Sequence, residues 1–355
     1  MTVNVIEELV SSIYGLDPES SEAARQRQAT LTKPPGSLGR LEALSIHIAG
    51  ITGRDRPMMT RKAVIIAAGD HGVVAQGVTA YPQSVTAQMV MNFLAGGAAV
   101  SVMAKHAGVR LVVVDAGVAT ALPASPNLVS VRIGIGTADI TRGPAMSRRD
   151  AERCLEEGSY LGQQLARQGV EVLGTGDMGI GNTTPSAAIV SVMTGEPPAK
   201  TTGQGTGRTT AELKAKRAVV QKALDVNRPD PKDAIDTLAK VGGFEIGFLA
   251  GVILGAAESR RPVVLDGFIS SAAALIACGV CPPVRDFLIA SHLSSEAGHK
   301  VALKHLGLKP LLDLDMRLGE GTGAVLAMGI VEAAAACLRE MATFEEASVS
   351  NRPGT

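Results

Sequence analysis

Val170-Glu-Val-Leu173, Gly174-Thr-Gly-Asp-Met-Gly-Ile-Gly-Asn-Thr-Thr184 and Pro185-Ser-Ala-Ala-Ile-Val-Ser-Val-Met193 run on without a break, and this stretch decides the fold. A short apolar run rich in β-branched residues enters a polar, glycine-rich loop. A longer apolar segment follows, with proline in its first turn. That order is the strand, loop and helix of a parallel α/β sheet. Outward from it the same pattern repeats. Further strands are expected at Ala63–Ala68, Arg110–Val114, Val129–Ile133, Pro262–Leu265 and Phe287–Ala290. Between them lie helical patterns at Ser84–Lys105, Ser147–Gln168, Pro185–Met193, Ala211–Val226, Glu245–Glu258 and Ser270–Ala277. The expected fold class is α/β, a doubly wound, mostly parallel, Rossmann-like sheet.

The two ends of the chain differ from this middle. Val3–Tyr14, Ser20–Thr30 and Leu38–Ile51 read as amphipathic helices without strands, and Thr322–Ala347 is again helical and rich in alanine. The expected organisation is a small helical domain from residues 1–55 plus 325–355, set on an α/β domain at 56–324. No period of 20–50 residues is visible, which excludes a solenoid.

Composition narrows the function. Of 355 residues, 40 are glycine, none is tryptophan and only 3% are aromatic. Charged residues make up 19%, below the ~25% usual for soluble domains. Tight loops and closely packed backbones are the natural use of such a chain. Zero net charge with 46% hydrophobic residues excludes disorder. At a pI of about 7.0 and with few stacking aromatics, a broad polyanion-binding surface is not expected, and neither is a nucleic-acid partner. Gly72–Ala104 carries no charged residue, yet Gln76, Pro82, Gln83, Gln88 and Asn92 fit a loop and buried helix better than a membrane span. The first residues lack a basic segment followed by an apolar run, so a cytoplasmic location is expected. Cys278 and Cys281 have metal-like spacing, but no second pair of ligands follows, and no metal is expected.

Six loops follow the expected strands: Gly69–Gly72, Asp115–Gly117, Gly134–Thr137, Gly174–Thr184, Asp266–Ser271 and Ser291–Glu296. Ligands of open parallel sheets bind beyond the carboxyl ends of the strands, so these loops are expected to converge on one site. Gly174-x-Gly176-x-x-Gly179 also matches a dinucleotide fingerprint, leaving an NAD-dependent oxidoreductase as the alternative. Two features oppose it. Asp177 would put a carboxylate beside the pyrophosphate, and Glu196, about 20 residues on, does not end a strand.

A smaller anion suits the sequence better. Thr183 or Thr184 can cap the following helix. Thr201–Arg208 offers a glycine nest, with Lys216 in reach and Lys214, Arg217 and Lys222 largely on a solvated face. Glu320, in Leu318-Gly-Glu-Gly-Thr-Gly323, has two readings. Burial would raise its pKa toward that of a general base, whereas the start of a helix would lower it.

Leu31-Thr-Lys-Pro-Pro-Gly-Ser-Leu-Gly-Arg-Leu-Glu42, Asp70-His-Gly-Val73, Gly174–Thr184, Val241-Gly-Gly-Phe-Glu245, Leu265-Asp-Gly-Phe268 and Leu318–Gly323 occur in order along nearly the whole chain. Together they resemble the nicotinate-nucleotide–dimethylbenzimidazole phosphoribosyltransferase family. The resemblance implies transfer of 5-phosphoribose from nicotinate mononucleotide to 5,6-dimethylbenzimidazole by a homodimer, without a cofactor, with inversion at C1′. It implies Glu320 as catalytic base and Asp177 as its supporting carboxylate, where the family usually has Glu. It implies a base pocket lined by Gln88, with Tyr81 at its edge where a smaller residue is usual. Lys216 and Ser294 match phosphate positions, Gly176, Gly203 and Asp266 match positions around the ribosyl phosphate, and Met178, Leu318 and Gly319 are expected to bind substrate.

Overall fold

The computed structural model describes residues 5–203 and 210–350. Three helices come first: α1 (Val5–Ser11), α2 (Pro18–Thr30) and α3 (Arg40–Thr52). Strand β1 (Lys62–Gly69) is followed by α4 (Val85–Ala95), α5 (Ala99–His106), β2 (Val109–Gly117), β3 (Leu128–Ser130) and α6 (Arg148–Arg167). Strand β4 (Val172–Met178) then leads to α7 (Thr183–Thr194), α8 (Pro198–Thr201), α9 (Thr210–Asn227), α10 (Ala234–Val241) and α11 (Phe244–Glu258). The chain closes with β5 (Val263–Leu265), α12 (Phe268–Val280), β6 (Leu288–Ala290), α13 (Ala297–Leu306) and α14 (Thr322–Glu340).

All six strands pair in parallel in the order β3-β2-β1-β4-β5-β6. Alternation along β1 shows why both faces are covered. Ala63, Ile65 and Ala67 join the core under α6, α7, α11 and α12, while Val64, Ile66 and Ala68 join the core under α4, α5 and α14. A strand buried on both sides reads as a continuous apolar run. The strand order reverses direction between β1 and β4, the switch point where ligands of such sheets bind. Met178, the last residue of β4, pairs there with Ala68.

Local signals set most helix ends. Ser147 and Asp150 form a reciprocal capping box at the start of α6. The charge-free segment departs from the expected single helix, because Gly96 takes a left-handed conformation (φ 81°) and splits it into α4 and α5. The pieces have 11 and 8 residues, well short of the ~20 needed to span a bilayer. α14 is equally apolar at 19 residues, and it packs against α3, α5, β4 and β5.

The chain ends meet. Ala24 of α2, Ala49 of α3 and Leu338 of α14 form a small buried cluster. The Arg27 guanidinium donates to the carbonyls of Leu338, Arg339 and Met341. α1 lies apart from that cluster, against α6 and α11.

Candidate active site

The expected loop after β4 starts later than the sequence suggests. Gly174, Thr175, Gly176 and Asp177 are still paired strand, opposite Val64, Ile65, Ile66 and Ala67 of β1. The first two glycines of the fingerprint therefore make no turn, and a dinucleotide reading loses its structural context. They serve a close crossing instead. A Cβ on Gly174 would lie 2.7 Å from Met328 Cε, and one on Gly176 would lie 2.7 Å from the Glu320 carbonyl.

That crossing presents Glu320. Gly319, Glu320 and Gly321 have φ of 82°, 63° and 89°, three left-handed residues in a row. Glycine adopts this conformation freely, but for Glu320 it costs on the order of 1–3 kcal/mol, a strain typical of functional positions. Asp266, at the end of β5, holds the loop from below. Its Oδ2 accepts from Gly321 N at 3.0 Å, and Oδ1 accepts from Gly323 N at 2.7 Å and Ala324 N at 3.2 Å. These N–H groups are the free donors at the start of α14, and Asp266 takes them all. The two readings of Glu320 are thereby separated. The helix start is occupied by another carboxylate, while burial, and then the Asp266 charge, push Glu320 up to about 7.

Asp177 and Glu320 face one cavity of about 440 Å³ at the carboxyl end of β4. Asp177 is 5% exposed and accepts at Oδ2 from Asn182 Nδ2 at 2.9 Å. Burial, then the charge of Asp266, raises its pKa well above the usual carboxylate range, and Glu320 adds to the same effect. Tyr81, Val85, Met89, Met178, Ile180 and Leu318 give it an apolar lining. Lys216, 3% exposed, lines it with Ser294 and donates to Thr183 Oγ1 at 2.7 Å. Lys214 and Lys222 are exposed.

Of the expected site residues, Glu320, Asp177, Tyr81, Met178, Leu318, Lys216, Ser294 and Gly319 line this cavity. Gly176 and Asp266 lie beneath it and support the Glu320 loop. Gly203 packs against Glu296, a lining residue, and Gln88 is exposed on α4 outside the lining. The glycine nest falls mostly at residues 204–209, outside the described residues. Neither Thr183 nor Thr184 caps α7: Asn182 holds the cap position, and its side chain turns to Asp177.

Three of the six loops line the cavity, Gly174–Thr184, Asp266–Ser271 and Ser291–Glu296; Gly69–Gly72 does not, although Val78, Thr79 and Tyr81 further along the same connection do. The loops after β2 and β3 do not. The Phe244 ring fills the space there, and a Cβ on Gly134 would sit 2.7 Å from its Cζ. His292 and Asn182 line the cavity without having been singled out from the sequence, although both stand in strand-end loops. His292 Nδ1 lies 3.9 Å from Asp266 Oδ1. Cys278 and Cys281 sit at the far end of α12, and burial pushes the Cys278 thiol up to about 12.

A switch-point cavity lined by a carboxylate of raised pKa and by a buried lysine defines an α/β enzyme acting on a small anionic substrate. Comparison with known proteins narrows this. A family model described as "Phosphoribosyltransferase" matches residues 13–349. The nicotinate-nucleotide–dimethylbenzimidazole phosphoribosyltransferase of Roseiflexus sp. (strain RS-1) is 55% identical over 350 residues, covering 99% of each chain. That of Dehalococcoides mccartyi (strain ATCC BAA-2100) is 51% identical over 97% of each. The crystal structure of the Thermus thermophilus enzyme of that name superposes with a TM-score of 0.90 at 47% identity, over 95% of this chain and 100% of the other. The chain belongs to the nicotinate-nucleotide–dimethylbenzimidazole phosphoribosyltransferase family.

Proposed function

We propose that this chain transfers the 5-phosphoribosyl group of nicotinate mononucleotide to 5,6-dimethylbenzimidazole, giving α-ribazole 5′-phosphate and nicotinate. The observation that carries the reading is Glu320, held in a strained loop that lines the cavity, with a pKa raised to about 7. Such a carboxylate accepts a proton near neutral pH without being protonated outright.

The bond changes follow from the substrates. The C1′–N bond to the pyridinium ring breaks, and nicotinate leaves as a pyridine that needs no proton. A benzimidazole nitrogen forms the new bond to C1′ from the opposite face, which inverts the anomeric centre. The N–H proton of the azole passes to Glu320. A general base of this kind contributes roughly 10²–10⁴-fold. Val85, Met89, Met178 and Leu318 offer a flat, uncharged base an apolar slot. Lys216, with Ser294, suits the 5′-phosphate as a point charge. Asp177, whose pKa burial and then the Asp266 charge raise well above the usual carboxylate range, faces the same cavity and in its protonated form would donate a hydrogen bond.

A homodimer and a cytoplasmic location belong to the same reading, and light scattering on the eluted protein tests the former. The activity is tested by incubating purified protein with both substrates and following nicotinate release and the mass of the nucleotide product. Nicotinate release that does not depend on the azole would overturn the reading, and so would a product without the azole.

A further inference from the structure

Asp70 and His71, just after β1, and Glu245, in the first turn of α11, take no part in the steps above, yet each is at most 1% exposed. His71 Nε2 and Glu245 Oε1 are 2.8 Å apart. Burial alone would lower the His71 pKa, but the Glu245 and Asp70 carboxylates outweigh it and raise the pKa above the usual imidazole range. Taking both partners of such a pair out of water costs several kcal/mol per ion, so stability is a poor reason for its presence.

Its location supplies a better one. Three glycines make room for it. A Cβ on Gly69 would lie 2.8 Å from Glu245 Oε2, one on Gly243 would lie 2.7 Å from the same oxygen, and one on Gly179 would lie 3.2 Å from His71 Nε2. Gly179 is part of the cavity floor, two residues after Asp177. Asp70 leads to the same turn from the other side. Its Oδ2 accepts from Ala119 N at 2.8 Å, and the nearby Thr86 hydroxyl counters part of the rise that burial gives the Asp70 pKa. Thr86 Oγ1 in turn accepts from Ile180 N at 3.1 Å. Thr86 belongs to α4, whose Val85 and Met89 form the cavity wall. The turn from Met178 to Asn182 is thus held at Ile180 by the Thr86 hydroxyl, while at Gly179 the lack of a side chain lets it lie close against His71.

We propose that Thr86, Asp70, His71 and Glu245 form a buried positioning network that fixes the Met178–Asn182 turn, and through it the Asp177 carboxyl and the α4 wall, in the geometry the transfer needs. The proposal rests on the function assigned above, and its test separates the two. Thr86→Val removes the acceptor of the Ile180 N–H at nearly constant shape. It should lower kcat/KM for the azole about tenfold while leaving the nicotinate mononucleotide KM within about twofold. Amide hydrogen exchange across residues 178–183 should accelerate. Thr86→Ser keeps the hydroxyl and should stay within about threefold of the parent. His71→Gln should reduce kcat about tenfold with the same exchange change. Parent-like kinetics and exchange in Thr86→Val would overturn the network, as would a Thr86→Ser loss equal to that of Thr86→Val. A parent protein without turnover would sink the functional reading instead, and the exchange comparison would still decide the network.

Discussion

Two regions of the molecule use glycine for different ends. In the seam between α6 and α11, Gly158 and Gly162 face Gly251 and Gly255, each pair one helical turn apart. A Cβ on Gly158 would run into the Phe248 carbonyl, on Gly251 into that of Leu155, and on Gly255 into that of Ser159. The helices touch backbone to backbone, and none of these residues lines the cavity. Where β4 meets α14, Gly174, Gly176 and Gly321 allow an equally close crossing, but what it delivers is the Glu320 carboxylate. One set sets a packing distance. The other sets an aim. The high glycine content of the sequence therefore has two origins, and substitutions should separate them.

The largest effect is expected at the aimed group itself. Glu320→Gln should lower turnover by about 10²–10⁴-fold with both substrates still bound. In the parent, kcat/KM should rise with pH up to about 7, where Glu320 loses its proton, and then level off. Stability should move the other way. A carboxyl whose folded pKa lies above its unfolded value binds its proton more tightly in the native state, so stability falls as pH rises from the unfolded value through the folded one. Removing the charge should accordingly raise the Tm above pH 7 by a few degrees, up to about 3 kcal/mol. A Tm unchanged at pH 8 would show that the carboxylate is not strained by burial.

In the seam, Gly251→Ala should cost about 3 kcal/mol or more, because the obstacle is backbone, yet leave kcat of the folded fraction unchanged. Thermal unfolding and single-turnover assays on the same sample check both halves. Gly176→Ala should reverse that signature, with a kcat loss of roughly tenfold to a hundredfold through displacement of Glu320 and a smaller drop in Tm. The comparison breaks if both glycine variants lose stability and activity in the same ratio. The smallest change is expected at Asp177. Burial and then the Asp266 charge raise its pKa well above the usual carboxylate range, which favours the neutral form that Asp177→Asn imitates, so activity should stay within about tenfold. A loss matching that of Glu320→Gln would mean that Asp177 works as an anion.

Much of the fold is legible in the sequence. Each of the six strands overlaps an expected apolar run, though β3 and β4 share only two residues with theirs; where the sheet is buried on both faces, as along β1, it leaves an uninterrupted apolar signature. The end of β4 is not legible in this way, since Gly-Thr-Gly-Asp has the composition of a loop. Only the crossing of α14, far along the chain, explains glycine inside a strand. α4 and α5 merge in the sequence because both are apolar, although Gly96-Gly97 marks the break. α10 escapes the helical pattern despite a usable signal, Asp233 capping the helix through Asp236 N. Glu320 stands out through its flanking glycines. The His71–Glu245 contact does not, because its partners are 174 residues apart and each alone reads as an ordinary polar residue.

The grip of Asp266 on the first turn of α14 has a consequence for what this scaffold can become. A helix start that other doubly wound proteins leave open to a visiting phosphate is here closed by a resident carboxylate. The protein carries its own carboxyl group at that address. Grafting further glycines into the neighbouring loops would therefore not turn the fold toward dinucleotides, and any such redesign would first have to evict Asp266 and find Glu320 another support.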